Sequence, residues 1–272
     1  MYKGFNLEIG SRDHTSFLGI SQHDVDAYER KIEGLRENLS HNIERVELPR
    51  NEDKSIDATQ LINDWFPTSY KPEVFISHSH NDEQTAKRLA CWLEKNFELE
   101  TFIDSTVWGN ANDLLQKIDD TYCVMERDNK GVKTYNYSKR NFTTSHVHMM
   151  LSTALNDMIY KSECILFLNT PQSVQTVEIN KNKRTSSPWI YSELKTASIV
   201  EKRYPRKGKI IKHRDNGVMN ILREDFSYKI EEQLAIFDSL NSKDLEKWYE
   251  FFKHDKEKNI HPLDSLYILK KQ

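Results

Sequence analysis

Cysteine is scarce in this chain of 272 residues: Cys91, Cys123 and Cys164 are an odd number without C-x-x-C spacing. Two of them fall in apolar surroundings, which points to a reduced, cytosolic setting with thiols that pack rather than react. Long apolar runs are also missing. No stretch approaches the roughly 18 apolar residues of a membrane span, and no N-terminal run reads as the apolar core of a signal peptide, so a cytoplasmic protein without a membrane partner is expected. Nor does one sign of charge dominate: the net charge is −3 and the pI about 6.4, with no global footprint for nucleic acid. The basic run Lys202, Arg203, Arg206, Lys207, Lys209, Lys212 and Arg214 reads as a solvated face. What is present is 30% charged and 37% hydrophobic residues, the balance of a soluble globular protein long enough to bury a core.

The chain is organised around residues 162–200. Cys164 to Leu168 are five consecutive apolar residues bounded by polar ones, the pattern of a strand covered on both faces in a parallel sheet. Thr170-Pro171 stops it. After a polar excursion, Ser187 can cap a helix and Pro188 fits its first position. Ile190, Leu194 and Ala197 then make an apolar stripe, while Trp189 and Glu193, also four apart, lie on a neighbouring one. Ligands of open parallel sheets bind beyond the carboxyl ends of the strands, where such helix starts gather. Glu193 is therefore an acid beside an aromatic at the edge where α/β proteins bind ligands.

The remaining elements follow in order. Residues 1–70 read as a helical N-terminal extension, with a near capping box at Ser21 to Asp24 and a second helix from Asp57 to Phe66. Glu73-Val-Phe-Ile-Ser77 is a strand, Glu83 to Asn96 a helix and Leu99 to Asp104 a strand, a β-α-β unit that implies a parallel pair. Ser105 to Asn110 reads as a loop containing Trp108-Gly109, and a helix begins at Asp113. Residues 121–144 read as a polar, tyrosine-rich insertion with Gly131 as its turn signal, a candidate hairpin, followed by a helix from Ser145 to Lys161. Lys209 to Lys212 is a candidate last strand. Residues 215–272 read as a helical C-terminal extension, with helices at about 228–239 and 242–254.

Four of these pieces, in this order, resemble the Toll/interleukin-1 receptor (TIR) domain: Val74-Phe-Ile-Ser-His-Ser with its acidic turn, Phe102-Ile-Asp104 with the loop reaching Gly109, Ser162-Glu-Cys-Ile-Leu-Phe-Leu, and Ser187-Pro-Trp-Ile-Tyr-Ser-Glu-Leu. The resemblance covers residues 71–214; the insertion near 121–144 departs from it. It implies an α/β, flavodoxin-like sheet of five parallel strands with helices on both faces. In many bacterial and plant members it also implies cleavage of NAD+ at the nicotinamide–ribose bond, in antiphage defence or signalling. The family's catalytic glutamate sits in a W-x-x-x-E arrangement that Trp189-Ile-Tyr-Ser-Glu193 matches position by position. Self-association through the domain and a sensing protein encoded elsewhere are the partners so implied.

The chemistry suits a single carboxylate. Nicotinamide leaves NAD+ as a neutral molecule from a cationic ring, so no general acid is needed, and one anion can stabilise the developing oxocarbenium. Glu193 is expected in that role, with Trp189 and Trp108 walling the pocket and Ser77, His78, Ser79 and Asp104 contacting ribose or phosphate; NAD+ is substrate and no cofactor is implied. Two other readings compete. His78-Ser-His80-Asn-Asp82 matches the start of a metallohydrolase H-x-H-x-D-H signature, but the sixth position is Glu83 and the β-α-β context differs. A non-catalytic TIR scaffold would not need the glutamate, which favours the enzyme.

Overall fold

The protein is described from a computed structural model over residues 1–9, 19–31, 48–65, 71–103, 105–127, 131–177, 182–203, 227–255 and 260–271. In chain order the elements are β1 (Lys3–Glu8), α1 (residues 22–31), α2 (Ala58–Trp65), β2 (Val74–Ser77), α3 (Glu83–Phe97), β3 (Thr101–Ile103), α4 (Ser105–Tyr122), β4 (Val124–Arg127) and β5 (Lys133–Tyr135). There follow α5 (Tyr137–Lys161), β6 (Cys164–Asn169), β7 (Gln175–Val177), β8 (Asn182–Thr185), α6 (Pro188–Ile199), β9 (Tyr228–Lys229), α7 (Glu231–Ala235), β10 (Asp238–Asn241), α8 (Ser242–Asp255) and α9 (Pro262–Leu269). Two compact units result, one of Met1–Lys31, Lys71–Ile103 and Met158–Gln272, the other of Ile32–Tyr70 and Asp104–Asp157. Among the described residues no helix is long and apolar enough to cross a membrane.

The first unit holds a five-stranded sheet in the order β10-β1-β6-β2-β3. Every pair is parallel, as expected for a flavodoxin-like α/β fold. β6 runs down its centre, and Cys164, Ile165, Leu166, Phe167 and Leu168 are each at most 1% exposed. Burying each of the large side chains among them contributes about 1.5–3 kcal/mol, which makes this short run the anchor of the core.

The two ends of the chain correct the sequence reading. Residues 1–70 and 215–272 were expected to be helical extensions, yet β1 and β10 are strands of the sheet, with β1 hydrogen-bonded on both sides. The strand escapes pattern recognition because only Phe5 and Leu7 are large and apolar, while the alternate positions are Gly4 and Asn6. Gly4 has a reason to lack a side chain: a Cβ there would lie 2.6 Å from the Phe237 ring. In β10 only Leu240 is apolar and buried. The candidate strand Lys209 to Lys212 lies outside the described residues.

In-register neighbours point to the same side of a sheet, so two faces can be assigned. Phe5, Leu166 and Ile76 share one face. There Tyr267 of α9 stacks on Phe5, with ring centroids 6.2 Å apart and planes 11° from parallel. α8 is joined to α3 by the stacked pair Phe97–Trp248 at 4.1 Å. The Trp248 indole N–H, shared between Pro262 O and Ser265 Oγ at 3.0 Å each, fixes α8 to α9. Asn6, Phe167 and Ser77 share the opposite face, which receives α6. α3 stops at Glu98, which adopts a left-handed conformation with φ of 58°.

The connections set where a ligand can enter. From β2 the chain moves outward to β3, whereas from β6 it returns toward β10, on the other side of the sheet. The two connections diverge at the carboxyl ends of β2 and β6, the position at which open α/β proteins bind their ligands.

In the second unit, β4 and β5 form an antiparallel hairpin whose loop includes Gly131 at φ of 82°, as expected for the insertion. Two expectations need correcting. Residues 105–110, read as a loop because Gly109 and Asn110 are poor helix formers, are the start of α4. α5 begins at Tyr137, not Ser145, because the Asn136 side chain accepts the Lys139 N–H at 2.9 Å and caps the helix. Asp119 of α4, 3% exposed, accepts from Arg140 Nε at 2.8 Å and Thr143 Oγ1 at 2.6 Å, which ties the hairpin's exit to α4.

Candidate functional site

Ser77 ends β2 and is fully buried. On the face of the sheet that Ser77 shares, α6 starts as its sequence predicts: Ser187 Oγ accepts the Ile190 N–H at 3.2 Å and Pro188 occupies the first turn. Ile190, Leu194 and Ala197 are at most 1% exposed and seat the helix on the sheet. That seating carries Glu193 inward, where it too is only 1% exposed. Ser77 Oγ donates to Glu193 Oε2 at 2.6 Å. A hydroxyl bond to a carboxylate is among the stronger hydrogen bonds, and here it fixes the orientation of an acid that the sequence of a surface helix would leave to solvent. Trp189, one turn earlier on the same helix, is half-buried.

The loop after Ser77 is tied down by a second set of bonds. His78 and Ser79 are 4% and 8% exposed, and a short 3-10 turn over His80–Asp82 follows. The buried Asp82 carboxylate accepts from Ser79 Oγ at 2.6 Å and from Thr170 Oγ1 at 2.5 Å through the same oxygen. Ser173 Oγ, donating to Leu168 O at 2.7 Å and accepting from the Thr170 N–H at 2.9 Å, rigidifies the loop after β6. The loops that follow β2 and β6 are thus joined to each other through Asp82 and Thr170. Burial opposes ionisation of Glu83 at the start of α3, but the Lys87 ammonium 2.8 Å away outweighs it, with His78 and His80 adding, and holds that carboxyl below its ordinary value.

Of the residues singled out in the sequence, Glu193 and Ser77 are in direct contact, His78 and Ser79 continue the same loop, and Trp189 shares the helix. Asp104 lies outside the described residues, and Trp108 is described only as part of the α4 backbone. Thr170 and Ser173 were not anticipated. Thr170-Pro171 is legible as a strand stop, and nothing in the sequence pairs it with Asp82. The metallohydrolase set does not assemble: His78 is buried, His80 is exposed, and Asp82 is engaged by two hydroxyls. Among the described residues no group of three or more His, Cys, Asp or Glu is placed to hold a metal.

Comparison of the chain with protein-family models, with curated proteins and with solved structures finds no match.

Proposed function

We propose that the protein is a TIR-like NAD+ glycohydrolase or cyclase that breaks the nicotinamide–ribose bond, with Glu193 as the catalytic carboxylate. The observation that carries this reading is the Ser77–Glu193 hydrogen bond of 2.6 Å at the carboxyl end of β2. As the bond to nicotinamide breaks, its electron pair leaves with the neutral base and positive charge develops on the ribose. A carboxylate held still by Ser77 and shielded from water by α6 faces that charge without reorganising, an effect typically worth about 10²–10³ in rate. Water completes hydrolysis to ADP-ribose and a proton; a hydroxyl or ring nitrogen of the same molecule attacking instead gives a cyclic product. Trp189 supplies an apolar wall one turn from the acid. Cytoplasmic location, self-association and a sensing partner belong to the same proposal.

The test is incubation of purified protein with NAD+, at high concentration and with a crowding agent, followed by chromatography of the products. Wild type is expected to release nicotinamide and Glu193→Gln to lose at least about 10²-fold of the rate. Equal turnover by the two proteins would overturn the role of Glu193. Absence of turnover in both, with assembly retained, would favour the non-catalytic scaffold.

A further inference from the structure

An opening lies at the carboxyl edge of the sheet, where β1, β6 and β10 end, and neither Ser77 nor Glu193 lines it. It is a cleft of about 980 Å³ whose lining includes Glu8, Ile9, Asn169, Lys183, Asn241 and Lys243. Glu8, Asn169 and Asn241 are in-register partners across β1, β6 and β10. They therefore stand side by side on one face at the strand ends, a comb of hydrogen-bonding groups spanning about 10 Å at the usual strand spacing. Two ammonium groups face this comb. Lys183 approaches Glu8 only at 3.9 Å, and Lys243 has no ion-pair partner among the described residues. Lys243 lies in the first turn of α8 beside Asp244, whose carboxylate accepts the Asn241 N–H at 3.1 Å while Asn241 Oδ1 accepts the Asp244 N–H at 3.1 Å. The buried Ile9 and Val174, 4% and 7% exposed, add an apolar wall.

From this lining we infer that the cleft is a binding site for a phosphorylated nucleoside. The incompletely neutralised Lys183 and Lys243 take the phosphate, the amides and Glu8 take the sugar hydroxyls, and Ile9 with Val174 takes the flat base. The volume lies at the upper end of the range of small-molecule pockets, about 300–1,000 Å³, and all three parts of the ligand find a matching surface. Thr170, whose hydroxyl donates to Asp82 in the loop after β2, also lines the cleft. Neither Ser77 nor Glu193 lines this cleft, and the inference does not depend on what Glu193 does.

Titration of the full-length protein with AMP, adenosine and inorganic phosphate by calorimetry tests it. AMP is expected to bind more tightly than either fragment, and Lys183→Ala and Lys243→Ala each to weaken it by about tenfold or more, with circular dichroism unchanged. Glu193→Gln is expected to leave AMP binding intact. Absence of AMP binding to wild type at millimolar concentration would overturn the inference. So would binding that survives both lysine variants, or binding that disappears in Glu193→Gln, since either places the nucleotide elsewhere. Phosphate binding as tightly as AMP would equally remove the nucleoside from the proposal.

Discussion

The Thr170 hydroxyl donates to the Asp82 carboxylate at 2.5 Å, joining loops that leave two neighbouring strands and lie 88 residues apart in the chain. Asp82 is 3% exposed, so removing one donor leaves a buried carboxylate with less compensation. Thr170→Val keeps the shape and deletes the hydroxyl; it is expected to destabilise the fold by about 1–3 kcal/mol. Thr170→Ser should recover most of that. Urea unfolding, read as a shift of midpoint at constant slope, checks it; a valine variant as stable as wild type would show that the bond contributes nothing net.

Gly4 and Phe237 make a complementary pair in the opposite sense, a missing side chain under an aromatic ring. Because an added Cβ would stand 2.6 Å from the ring, Gly4→Ala must displace Phe237. A cost of about 1–3 kcal/mol is expected from overpacking. Phe237→Leu opens space at the same point, so the double variant is expected to lose less than the sum of the two single ones. A double-mutant cycle with purely additive losses would separate the two residues and refute the account.

This pair also explains what could and could not be read from the sequence. β6 and α6 were legible because each carries a local signature: five apolar residues in a row, and a serine-proline start followed by apolar residues at helical spacing. The same spacing places Glu193 beside Ser77 at the carboxyl end of β2. β1 was not legible, because a strand whose one face is completed by Phe237 from the far end of the chain needs no large residues of its own there. Thr170 was missed for the same reason at the site, since its role exists only once Asp82 is brought beside it. α4 was misread at its start because Gly109 and Asn110 argue locally against a helix that nevertheless begins at Ser105.

The three cysteines are free and buried. Burial pushes the thiols of Cys91 and Cys123 above their ordinary range and that of Cys164, in the central strand, further still. The thiolate is the reactive form, so the native protein is expected to resist a thiol-specific chromogenic reagent near pH 8 and to expose all three groups once denaturant is added. Rapid labelling of a native thiol would contradict this packing role. Cys164 is the most demanding test, because its reaction requires the sheet to open.

The start of α1 gives a pH dependence whose direction can be worked out in advance. Lys95 Nζ lies 2.8 Å from Asp24 Oδ1, while the Ser21 hydroxyl and N–H donate to Oδ2 at 2.6 and 3.0 Å. The lysine first and the serine second hold the Asp24 carboxyl well below the usual carboxylate range. In the unfolded chain the same group titrates near about 3.9. A depressed folded value means that the contribution of the charged form is complete above that pH and is lost as the pH falls through the folded value. Asp24→Asn removes the charge at every pH. Its melting temperature is therefore expected to sit below that of wild type by a constant amount from neutral pH down to about 5. The two curves should converge as the solution becomes more acidic than about pH 4, where wild type begins to protonate its unfolded form. Added salt should shrink the neutral-pH gap, because the pair is exposed to solvent. A gap that stayed the same down to the acid limit would assign the loss to helix capping by shape alone, and would remove the Lys95 ion pair from the explanation.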